Sequence, residues 1–80
     1  MDDAELVARI GQLADEEHAL ERSHAGDGLD DAESARLREI EVALDQCWDL
    51  LRQRRARRDA GEDPDEAMIR PEDMVEEYEQ

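Results

Sequence analysis

The sequence predicts an all-α fold: an antiparallel two-helix hairpin, coiled-coil-like in its seam, with an acidic tail of short helical turns. Three observations predict it. Leu6, Ile10, Leu13 and Leu20 fall on one helical stripe, and Leu37, Ile40, Leu44, Cys47 and Leu51 fall on a second with the 3-4-3-4 spacing of a heptad seam. A short glycine-bearing break, Gly26-Asp27-Gly28, separates the two stripes. A short loop between two amphipathic helices implies antiparallel neighbours.

The first helix is expected over about residues 3–24. Asp2 or Asp3 caps it, and Glu5 adds negative charge to its first turn. Gly11 weakens it by roughly 1 kcal/mol relative to alanine and leaves room for a close helix crossing. Glu17 and His24 occupy seam positions, so the seam loosens towards the loop. Residues 25–30 form the turn, after which Asp30 and Glu33 supply the D-x-x-E pattern of a capping box for the second helix. The second helix then runs over about 31–60, with Gly61 as its stop. Aligning the two stripes pairs positions whose numbers sum to about 57. Leu20 then faces Leu37, Leu13 faces Leu44, and Leu6 faces Leu51. The same alignment sets Asp2, Asp3 and Glu5 beside Arg52, Arg54 and Arg55.

Residues 1–60 thus make one hairpin, and residues 61–80 make a tail of different character, with nine acids and one arginine. Asp63-Pro64-Asp65-Glu66 has the cap, proline and acid order of a helix start, and Arg70-Pro71-Glu72-Asp73 repeats it more weakly. Met68, Ile69, Met74, Val75 and Tyr78 are the tail's larger apolar residues. The tail is expected either to stay disordered or to fold back in short turns.

Composition bounds the rest. Eighty residues with one Trp, one Tyr and no Phe bury little apolar surface, so self-association is expected. Helix two is apolar beyond its seam, with Ala43 and Leu50 widening the stripe on one side and Trp48 on the other. The expected solution is a homodimer of hairpins in a four-helix bundle. Net charge is -15, and every basic residue is Arg. That field repels phosphate, so generic DNA or membrane-surface binding is not favoured. One cysteine excludes an internal disulfide, and residues 1–20 hold no signal-peptide core, which makes the cytoplasm the expected compartment.

The run Leu37-Arg38-Glu39-Ile40-Glu41, then Leu44-Asp45-Gln46-Cys47-Trp48-Asp49-Leu50-Leu51-Arg52-Gln53-Arg54-Arg55-Ala56, followed by Ala60-Gly61-Glu62-Asp63-Pro64-Asp65-Glu66-Ala67, resembles a family of short actinobacterial proteins classed as a domain of unknown function. The resemblance covers nearly the whole chain and implies a small cytoplasmic helical protein. It carries no catalytic residue over. The acidic tail ending in Gln80 is also similar to that of the prokaryotic ubiquitin-like modifier of the same bacteria. Tyr78-Glu79 stands where that modifier has its double glycine, which argues against conjugation.

Two features are candidate binding elements. The first is the flank of helix two carrying Trp48 and Leu50, suited to docking a protein partner. The second is the arginine cluster Arg52, Arg54, Arg55, Arg57 and Arg58, suited to RNA, a ribosome or a phosphate-bearing ligand. The cluster also has a plainer reading, as cations matched to a helix C-terminus and to the acids around it. Cys47 reads as a buried seam residue. His18 and His24 are six residues apart and lack zinc spacing. No nucleophile–base pair, phosphate loop or cofactor turn is present. No cofactor and no enzymatic activity are expected; the expected function is a non-enzymatic interaction or regulatory module.

Overall fold

The computed structural model describes residues 1–23 and 28–74. The expected turn residues 25–27, His24 at the seam, and Val75, Tyr78 and Gln80 of the tail lie outside the described residues. Helix α1 spans Asp3–Ser23 and helix α2 spans Asp31–Asp59.

Both helices begin with a reciprocal acidic box. The Asp2 carboxylate accepts from the Glu5 N–H at 2.8 Å, and Glu5 accepts from the Asp2 N–H at 3.2 Å. Asp30 and Glu33 repeat the arrangement at 2.8 and 3.1 Å. Each box satisfies backbone donors that the helix leaves without partners. Helix α2 stops where Gly61 takes φ +76°. The Glu62 N–H then donates to the Arg57 carbonyl and the Gly61 N–H to the Arg58 carbonyl, the paired bonds of a Schellman end. A side chain at Gly61 would be strained in that left-handed conformation.

The two helices pack as an antiparallel hairpin. Leu6, Ile10 and Leu13 of α1 and Ile40, Cys47, Leu50 and Leu51 of α2 form the core, with Leu20, Ala43 and Leu44 packed at its margins. The Arg54–Asp3 contact at 2.6 Å falls on the expected register. Arg36 clasps Glu16 across the helices, with the second hydrogen bond at 2.7 Å. Gly11 makes no close crossing. A Cβ there would meet nothing within 4 Å, because the residue faces outward.

The tail folds back. After the Schellman end, Asp63 accepts from the Asp65 N–H at 2.9 Å and starts a single 3-10 turn, Pro64–Glu66. A further turn over 72–74 is closed by the Met74 N–H on the Pro71 carbonyl at 3.1 Å. Between these turns the chain runs antiparallel to α2. It touches Arg54 from Asp65, Gln53 from Met68, Asp49 from Arg70 and Arg38 from Glu72. Residues 61–74 therefore form a strap, with Ala67 packed on the core. The strap covers the Ala43/Leu50 side of the wide apolar stripe, work that the sequence reading assigned to a second hairpin.

Candidate functional site

The strap is held by a polar clamp on one flank of α2. Gln46, Asp49, Leu50 and Gln53 fall within an arc of roughly 100° at 3.6 residues per turn. Asp49 is 0% exposed. Its carboxylate accepts from Arg70 through both Nε, at 2.9 Å, and Nη2, and from Gln53 Nε2 at 2.9 Å. Arg52 stands 3.8 Å away. Gln53 Nε2 also donates to the Met68 carbonyl at 2.7 Å, and Gln46 Nε2 to the Arg70 carbonyl at 3.2 Å. Burial pushes the Asp49 carboxyl up, but Arg70 and Gln53 pull it down further, and it lies below the ordinary Asp value. An ion pair taken out of water holds only when its remaining polar atoms are also satisfied, and among the described residues no buried side-chain nitrogen or oxygen lacks a partner. Sequence reasoning missed this clamp. Its signal was the polar 3-4 stripe Gln46–Asp49–Gln53 beside the seam, matched by the lone arginine of an acidic tail.

The arginine end is largely paired within the chain. Arg54 is buried at 6% exposure. It donates to Asp3 at 2.6 Å, to Asp65 at 2.9 Å and to the Pro64 carbonyl at 3.2 Å, and the two carboxylates hold its charge in place by raising its proton affinity. Arg58 reaches the other Asp3 oxygen at 2.7 Å. Hydrogen bonds from Arg58 and Arg54 hold the Asp3 carboxyl below its ordinary value. Arg57 lies 3.5 Å from Glu66 and 3.9 Å from Glu62. Arg55 is exposed and makes no ion pair among the described residues.

Of the seven candidate binding residues, the structure therefore separates two that the sequence joined. Leu50 is buried at 6% exposure under the strap and is not available on a docking flank. Trp48 is 46% exposed and sits about 150° round the helix from the clamp. Leu44 and Arg55 share its side of α2. On α1, Val7, Gly11 and Ala14 lie on the side of the core stripe away from Glu16. Because the helices are antiparallel and both right-handed, these two flanks make one face of the hairpin, opposite the Glu16–Arg36 clasp. Val7 is 57% exposed there.

The described residues enclose no pocket, and no three His, Cys, Asp or Glu side chains among them converge on a possible ion site. Cys47 is buried in the seam, and that burial raises its thiol pKa, away from the thiolate that reactivity requires. No helix among the described residues is long and apolar enough to cross a membrane.

The chain is 52% identical over 77 residues to "Uncharacterized protein Rv0898c" of Mycobacterium tuberculosis (strain H37Rv), covering 95% of this chain and 88% of that protein. "Uncharacterized protein Mb0922c" of Mycobacterium bovis matches with the same identity and coverage. No solved structure matches significantly. A family profile described as "Protein of unknown function (DUF2630)" matches residues 2–80. The match spans hairpin and strap alike, in agreement with the resemblance read from Leu37 to Ala67, and the chain belongs to this family of unknown function.

Proposed function

We propose that the chain is a non-enzymatic interaction module of the cytoplasm, which docks a protein helix on the face around Trp48. The observation that carries this reading is the indole itself, left 46% exposed on a regular helix in a chain with one tryptophan and one tyrosine. Tryptophan is the residue most enriched among interface anchors, because it contributes a large area at little rotamer cost. Val7, Ala14 and Leu44 extend the surface around it, and helix-in-groove docking uses such faces.

The pairing of the arginines supports the same choice. A phosphate approaching Arg54, Arg57 or Arg58 has to displace Asp3, Asp65, Glu62 or Glu66, against a net charge of -15. Affinity capture with the full chain and its Trp48→Ala variant tests the reading. Apolar docking predicts a protein partner that stays bound as salt is raised and is lost with Trp48→Ala. Binding that falls steeply with salt, survives Trp48→Ala and disappears with Arg52→Ala and Arg55→Ala would instead identify an RNA or phosphate ligand.

A further inference from the structure

We propose that the occupant of the Trp48 face is a second copy of this chain, docked antiparallel about a two-fold axis passing beside Trp48. This rests on the reading of that face as a docking surface. The first argument is charge. Glu41 and Arg55 stand seven residues before and after Trp48, and both are exposed. Seven residues are two helical turns, so all three share one flank of α2. Neither Glu41 nor Arg55 makes an ion pair among the described residues. An antiparallel copy with Trp48 against Trp48 brings Arg55 of each chain to Glu41 of the other, twice over. A parallel copy sets Arg55 on Arg55 and Glu41 on Glu41. An isologous interface needs this self-complementarity.

The second argument is shape. In the observed register Gly11 is level with Gln46, within one turn of Trp48. Its bare backbone faces open space, with nothing within 4 Å of a Cβ. That flat place beside one indole receives the indole of the second copy. The third is room. The molecule measures 50 × 25 × 17 Å, and a face running along its long axis accommodates the ~800 Å² per partner of a standard interface.

The test is the solution mass of the full chain, by light scattering after size exclusion, beside charge-swapped variants. Wild type is expected at twice the 9.2 kDa chain mass. Arg55→Glu and Glu41→Arg each place like charges together twice, and each should weaken the dimer by about tenfold or more. An equimolar mixture of the two variants re-forms both opposite-charge pairs and should recover the dimer. Gly11→Leu improves helix propensity, so it should keep its helical circular dichroism while running as a monomer. A monomeric wild type overturns the second-copy proposal and leaves the Trp48 face to another protein. A dimer that the single swaps weaken but the mixture does not rescue overturns the antiparallel pairing. A dimer untouched by the swaps, by Gly11→Leu and by Trp48→Ala forms through another surface and overturns this proposal, while the docking reading beneath it falls only if capture with the full chain yields no protein that Trp48→Ala loses.

Discussion

Asp49 is the residue on which the tail's course depends. A carboxylate at 0% exposure is tolerable only because Arg70 and Gln53 fill its acceptor positions, and through it the strap is tied to α2. Asp49→Ala removes the anchor and leaves Arg70 and Gln53 without their shared partner. We expect a loss of about 2 kcal/mol, read as a lower urea midpoint with a smaller m-value, since a released strap leaves less surface to expose. The pH dependence follows from the direction of the shift. The Asp49 carboxyl lies below its ordinary value of 3.8 when folded, so the unfolded chain takes up the proton first. Its contribution is whole above 3.8 and is lost as pH falls from there through the folded value. Asp49→Asn has no such proton to bind and should lose less stability than wild type over that range in a pH series of thermal melts. Asp3 and Glu16, held low by Arg58 and Arg36 respectively, act in the same direction in both proteins and cancel in the comparison.

The elements are where the sequence was most legible. Helices are local objects, and their ends are coded within four residues, so the Asp30–Glu33 box and the Gly61 stop stood in plain view. Asp30→Ala tests that reading. It removes the acceptor for the Glu33 N–H and should cost about 1 kcal/mol, lowering Tm by roughly 4–8 °C for a domain of this size. The register was legible because the short connection between the helices selects one alignment of the two heptad stripes, and Asp3–Arg54 lies where that alignment set it. The tail's fold-back in short turns was legible as one of two alternatives, from the Asp63-Pro64 turn start, but its course along α2 was not. Its contacts pair Asp65, Met68, Arg70 and Glu72 with residues 11 to 34 positions away, and no periodicity encodes such a match. For the same reason Leu50 was grouped with Trp48. Both widen the apolar stripe of α2, and only the tail's position shows which of the two is already covered.

At the scale of the whole molecule, the chain divides its two flanks between two tasks. One flank of the hairpin is closed by its own tail, through a buried ion pair, two glutamines and the arginine end. The other presents Trp48 and Val7 to water, with Leu44 half-buried between them and the core. A net charge of -15 repels any acidic partner at long range, but screening at physiological salt limits that field to roughly 8 Å, inside which the Arg55–Glu41 complementarity acts. Trp48 is the sole tryptophan, so its fluorescence reports on this face and nothing else. The most direct measurement is the emission maximum of the full chain as a function of its own concentration. Docking of a second copy on the Trp48 face predicts a shift to shorter wavelength as concentration rises, over the same range in which the mass doubles, and no shift in Gly11→Leu. An emission maximum that stays at the solvent-exposed position while the mass doubles would contradict it, because the contact would then lie elsewhere on the molecule.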